Sequence, residues 1–167
     1  MINIKMRCEQ VMKEIPDYVK LVAATKSRTV DEIKKAIDAG IKVIGENYVQ
    51  EAEEKYAEIG NSVEWHLIGH LQKNKINKAL PIFDVIQTVE SIRKSKHIDK
   101  RVQKAGKKLV PVYIEINSGN EDAKYGISPE YESVKKLACA IAEMEDMILE
   151  GLIRMGAYVD YSQKTRG

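Results

Sequence analysis

Lys26 is the residue of this chain best placed for covalent chemistry. It ends the apolar run Leu21-Val22-Ala23-Ala24-Thr25-Lys26, and a helix start follows at once in Thr29-Val30-Asp31-Glu32. A lysine at the carboxyl end of a buried parallel strand lies where α/β folds gather their functional groups. Partial desolvation there disfavours the ammonium and frees the amine to attack a carbonyl, giving a Schiff base. The plain alternative is a solvated surface charge, one of the 27 Lys and Arg residues in the chain.

Two further strand ends carry polar groups. In Gly45-Glu46-Asn47-Tyr48-Val49-Gln50-Glu51, Asn47 serves either as a helix cap or as a polar group beside Lys26 on the same rim. In Glu64-Trp65-His66-Leu67-Ile68-Gly69-His70, alternation places His66, Ile68 and His70 on one face if the strand persists through Gly69. With no HExxH pattern and no accompanying cysteine or carboxylate cluster, a zinc site is not expected. His66 reads as an inward hydrogen-bonding residue and His70 as a loop residue. A long polar loop, Asn117 to Ile127, contains Glu121 and Lys124, which could simply pair on the surface. No glycine-rich phosphate loop occurs.

The elements that must position these groups alternate regularly. Strands are predicted at Leu21–Thr25, Val43–Gly45, Val63–Ile68, Asp84–Val89, Val110–Ile116 and Ile148–Arg154, short and rich in Val and Ile as doubly buried strands are. Thr29 with Glu32 forms a capping box, Ile33 and Ile37 share a face, and Gly40 closes that helix. Asn47 with Gln50 repeats the box ahead of a helix that stops at Gly60, and Ser128-Pro129 reads as another helix start. Residues Met1 to Ile15 form a leading helix. The basic stretch Arg93 to Lys108 has its apolar positions Ile98, Val102, Ala105 and Leu109 at helical spacing, so its cations form a solvated outer face. RNA is the sharper reading of that face, but no aromatic residues are interleaved for stacking. Successive βα units imply a parallel sheet, either open and doubly wound or a barrel with about six of its eight units.

Composition bounds the function. The 167 residues read as a single domain, 44% hydrophobic and 31% charged. No apolar run approaches a membrane span. The opening Met1-Ile2-Asn3-Ile4-Lys5-Met6-Arg7 lacks a signal-peptide core, so a cytoplasmic location is expected. Cys8 and Cys139 form no CxxC pair and read as reduced, partly buried thiols. A net charge of +2 does not call for a nucleic-acid partner.

Lys26, GENYVQE, WHLIGHLQKNK, FDVIQTVES, the NxxxExxKxG loop and GLIRMGA occur in one order. Together they resemble the pyridoxal phosphate homeostasis protein family, single-domain relatives of the alanine racemase barrel, over about Val19 to Asp160. The resemblance implies a TIM-type (β/α) barrel of the alanine racemase N-terminal type. It also implies pyridoxal 5′-phosphate held as a Schiff base on Lys26. Asn47 and His66 match positions lining the same rim, and Met155 and Gly156 match the end of the sixth strand near the cofactor ring. The family continues through two more strands whose loops hold the cofactor phosphate. This chain ends at Tyr161-Ser162-Gln163-Lys164-Thr165-Arg166-Gly167, so a C-terminally truncated barrel with a weakened phosphate grip is expected. The resemblance includes no second base for racemisation, and the implied role is B6-vitamer binding without amino-acid turnover. Unpaired outer strands imply a homo-oligomer. The alternative is a remnant that has lost the cofactor and acts as an oligomeric or RNA-contacting protein.

Overall fold

A computed structural model describes residues 3–117 and 125–154. Six strands, β1 (Ala23–Ala24), β2 (Val43–Glu46), β3 (Glu64–Leu67), β4 (Val85–Val89), β5 (Val110–Ile116) and β6 (Met147–Arg154), form one parallel sheet. Their spatial order follows the chain, β1-β2-β3-β4-β5-β6. A doubly wound sheet reverses direction from a central strand, whereas a βα-barrel adds each strand beside the last. The order therefore decides for an incomplete barrel. β1 and β6 remain the two outer strands and do not pair with each other. The outer strand β6 carries Ile148 and Leu152, 45% and 56% exposed.

Helices α1 (Ile4–Glu14), α2 (Val30–Asp38), α3 (Val49–Ile59), α4 (Ile76–Ala79), α5 (Ile92–Val102) and α6 (Tyr131–Ala142) lie between or ahead of the strands. Their apolar stripes meet the outward side chains of the sheet in one core that includes Ile33, Ile44, Trp65, Phe83, Ile98 and Leu137. Burial of each such side chain contributes roughly 1.5–3 kcal/mol. Trp65 is wholly buried, and its indole N–H donates to the Gly60 carbonyl at 2.8 Å, leaving no buried donor unpaired.

Several local expectations shift. The capping box on α2 forms as the sequence indicates, with Thr29 and Glu32 bonded reciprocally. At α3 the cap falls on Tyr48, not Asn47, and no side chain caps that helix. Helix α6 starts after Glu130, two residues beyond the Ser128-Pro129 signal. Helix α5 ends at Val102, followed by a 3₁₀ turn over Gln103–Ala105, so Leu109 leaves the stripe and is 45% exposed. Lys94 departs from the solvated face altogether and is buried on the core side of α5. Cys8 is half-buried, but Cys139 is exposed and not partly buried as expected. Among the described residues no helix is long and apolar enough to cross a membrane.

Candidate functional site

The carboxyl ends of the strands form one rim, and Lys26 stands on it two residues past β1. The chain turns tightly there. The Arg28 N–H donates to the Thr25 carbonyl at 3.0 Å, which makes Lys26 and Ser27 the two central residues of the turn. Ser27 adopts a φ of 60°, a left-handed conformation that costs a non-glycine residue on the order of 1–2 kcal/mol. Its N–H donates to Glu51 Oε2 at 3.3 Å. Lys26 itself is exposed, not desolvated as its strand position suggested. Its ammonium lies 5.4 Å from the centre of the Tyr48 ring, a cation–π contact that draws it toward β2.

Beneath the turn is a buried polar clamp. Glu46, the last residue of β2, is fully buried and accepts from Thr25 Oγ1 and from Lys55 Nζ, each at 2.6 Å. Lys55 also donates to the Thr25 carbonyl at 2.8 Å and reaches Glu51 at 3.4 Å. One ammonium from α3 thus ties together the end of β1, the end of β2 and its own helix. The residue before Lys26 is held through its backbone and its hydroxyl alike.

Asn47 follows Glu46 on the rim, half-buried, with no hydrogen bond from its side chain among the described residues. Its backbone is pinned by the chain beyond β3. A Cβ added at Gly69 would lie 2.2 Å from the Asn47 carbonyl oxygen and 2.6 Å from its Cα. Only a glycine lets the two segments approach so closely.

His66 lies one layer below the rim, in register with Gly45. It is buried, and both ring nitrogens are engaged. Gln87 Nε2 donates to Nδ1 at 2.7 Å, which leaves Nε2 carrying the proton that it gives to Glu64 Oε1 at 2.8 Å. Glu64 also accepts from Lys20 at 3.1 Å. Burial raises the Glu64 carboxyl, but the bonds from His66 and Lys20 outweigh it and hold the group below its usual range. His66 is thus an inward hydrogen-bonding residue, as its position in the strand suggested.

His70 does not join His66, because β3 ends at Leu67. It stacks on Tyr125 with ring centres 3.9 Å apart, and its Nδ1 lies 3.4 Å from Lys94 Nζ. Lys94 is paired with Glu90 at 2.6 Å. Burial and then the Lys94 charge hold the His70 imidazole below its usual range, with Glu90 opposing. Glu115, buried on β5, has one carboxylate oxygen without a hydrogen-bond partner. Burial pushes its carboxyl up and the Glu90 charge pushes further, against the pull of Lys94.

The structure therefore brings Lys26 and Asn47 together on one rim and sets His66 below them. Met155 and Gly156 lie outside the described residues, as do Glu121 and Lys124. Sequence reasoning missed Glu46, Lys55, Gln87, Lys94 and Glu115. The two lysines left a signal, since Lys55 falls on the α3 stripe with Val49, Ala52 and Ile59, and Lys94 on the α5 stripe with Ile98 and Val102. A lysine on an apolar stripe demands a buried partner.

Comparison with known proteins bears on the family and the fold. The family model for the alanine racemase N-terminal domain matches residues 2–166. A pyridoxal phosphate homeostasis protein from Pasteurella multocida is 35% identical over 161 residues, which are 95% of this chain and 67% of that protein. PipY of Synechococcus elongatus, solved without PLP, superposes with a TM-score of 0.89 at 27% identity, covering 97% of this chain and 75% of PipY. PipY with PLP bound superposes at 0.81, covering 92% and 70%. An alanine racemase from Clostridium difficile shares the fold alone, with a TM-score of 0.77 at 16% identity over 91% of this chain and 40% of the racemase. The chain spans between about half and two thirds of the length of the curated relatives it matches. On the family model, the identity to these relatives and the shared fold, the chain belongs to the alanine racemase N-terminal domain family, and within it to the pyridoxal phosphate homeostasis proteins.

Proposed function

We propose that the chain binds pyridoxal 5′-phosphate and carries it through a Schiff base on Lys26, as a cytoplasmic carrier that does not turn over amino acids. The observation that supports this most is the exposed Lys26 amine on a rim turn whose backbone is clamped by Glu46 and Lys55. The described residues fit the aldehyde end of such a cofactor. Lys26 offers an accessible amine, and Asn47 offers a half-buried amide with no hydrogen-bond partner among the described residues. The cofactor supplies the electrophilic carbonyl. The protein supplies the amine, the fixed turn and the neighbouring amide.

Roles divide by layer. Lys26 would be the attachment point, and Asn47, on the same rim, would offer its amide to the bound cofactor. His66, held in one tautomer by Glu64 and Gln87, is a positioning residue under the rim. Met155 and Gly156, outside the described residues, belong to the same proposal as residues near the cofactor ring, as the family resemblance implies. The names of the relatives, and PLP bound in PipY, support the cofactor; names that speak of homeostasis favour a carrier over a catalyst. Self-association through the open edges of β1 and β6 belongs to the same proposal, and a monodisperse 18.9 kDa particle in sedimentation would contradict it.

Titration with pyridoxal 5′-phosphate, followed by absorbance, tests the reading. The wild-type chain develops a saturable imine band, and Lys26→Ala does not. A band of equal size in the variant overturns the assignment.

A further inference from the structure

Among the described residues the buried lysines and carboxylates are Glu46, Lys55, Lys94 and Glu115. Glu46 and Lys55 pair with each other, and Lys94 pairs with Glu90. Glu115 is the exception. It is 8% exposed, forms no ion pair among the described residues, and keeps its Oε2 buried without a hydrogen-bond partner. A buried carboxylate oxygen in that state lacks the donor that such groups regularly find. Its neighbour Ile114 packs in the core, so alternation turns Glu115 to the inner face of the sheet, at the rim.

The surroundings of Glu115 are built from three neighbouring strand ends. Lys94 holds both Glu90 oxygens, at 2.6 and 2.7 Å, with His70 Nδ1 at 3.4 Å, so its three N–H groups are committed. The cluster also has a roof. Tyr125 stacks on His70, beyond the end of β3, with ring centres 3.9 Å apart. The next residue, Gly126, packs on the end of β5, where an added Cβ would lie 3.1 Å from the Glu115 carbonyl oxygen. The Ile127 N–H donates to that same oxygen at 2.8 Å. The chain thus crosses from the end of β5 to the end of β3, over the end of β4 between them. Glu90 follows β4 directly, so it and Lys94 lie between the two anchor points.

We infer that this roofed cluster at the ends of β3, β4 and β5 binds the ammonium group of a small amine, with Glu115 as the acceptor. An ammonium supplies the missing donor to Oε2 and a positive charge to a site where Glu115 faces Glu90. Lys94 cannot do this, because Glu90 already neutralises it. A metal ion fits poorly, since no group of three His, Cys, Asp or Glu among the described residues is placed to hold one. The carboxylate of an amino acid would meet Glu90 and Glu115 with no free cation to offset them, so a simple amine fits better than an amino acid. Entry requires Tyr125, 60% exposed, to leave its stack on His70.

Titration of the chain with ethylammonium chloride, followed through backbone amide chemical shifts, tests the site. Saturable shifts are expected at residues 90–94 and 114–116. Glu115→Gln keeps the shape and removes the charge, and should weaken binding by roughly tenfold or more. Glycine should bind by roughly tenfold or more less tightly than ethylammonium. Affinity should also fall in acid, where Glu115 takes a proton and competes with the ligand. Glu90, Lys94, His70 and Tyr125 are the other titratable groups of the cluster, and a protonated His70 acts in the same direction. Lys26→Ala should bind ethylammonium like the wild type, so failure of the cofactor reading leaves this site standing. No saturable shifts, the same shifts with sodium chloride, equal binding of glycine, or equal binding by Glu115→Gln overturns the inference.

Discussion

The Lys55 ammonium sits 2.6 Å from the Glu46 carboxylate, with the two side chains only 9% and 0% exposed. This pair lies directly under the Lys26 turn, and Lys55 holds the Thr25 carbonyl as well. Removing Lys55 leaves the buried Glu46 carboxylate without its counter-ion. Lys55→Met should cost about 3–5 kcal/mol in denaturant unfolding. Glu46→Gln/Lys55→Met should recover part of that loss, since neither charge is then stranded. If Lys55→Met unfolds at the wild-type denaturant concentration, the clamp carries no weight.

The approach of Gly69 to Asn47 gives a second expectation. A methyl group at residue 69 would meet backbone atoms, not the movable tip of a side chain. Gly69→Ala should therefore cost about 3 kcal/mol and shift the Asn47 backbone. Unfolding midpoints and the amide chemical shifts of residues 46–48 report the two effects. An unchanged midpoint with unmoved shifts would show that the segments are not in contact.

Strain at Ser27 predicts the opposite sign. Glycine adopts a φ of 60° without steric cost, though it loses more entropy on folding. Ser27→Gly should stabilise the chain by about 0.5–1 kcal/mol, read from thermal or urea unfolding. A destabilised variant would mean that Ser27 makes a compensating contact.

Glu115 and His70 set the pH response of the other end of the rim. Glu115 has its folded value raised by burial and then by Glu90, so its favourable contribution is present at acid pH. It is lost as pH rises through the raised value. His70 has its folded value lowered by burial and then Lys94, so its neutral form is favoured. That contribution is present above the ordinary histidine value and fades as pH falls below it. Glu115→Gln should thus be more stable than the wild type near neutrality and lose this advantage in acid. Urea unfolding from pH 4 to 8 checks the crossing, and a constant offset between the two proteins contradicts it.

Much of this fold is legible in the sequence because its strands are short apolar runs with clear punctuation. β5 spans Val110–Ile116 as predicted, and β4 and β6 differ by one residue at their starts. β1 shrinks to Ala23–Ala24, the two residues in register with Ile44 and Gly45 of β2. The caps were less legible. Asn47 has the right side chain for a cap, but the packing of Gly69 on its backbone moves the helix start to Tyr48. Of the site, Lys26 and Asn47 could be read from strand ends, since the end of a strand is a place that periodicity defines. The clamp could not, because Glu46 and Lys55 are nine residues apart and meet only through tertiary packing.

Borohydride reduction of the chain with bound pyridoxal 5′-phosphate, followed by peptide mapping, tests the central claim most directly. The account predicts one pyridoxyl group, on the peptide containing Lys26, and none in Lys26→Ala. A stable label on Lys55, Lys94 or any other lysine in the wild-type chain, with Lys26 unmodified, would contradict it.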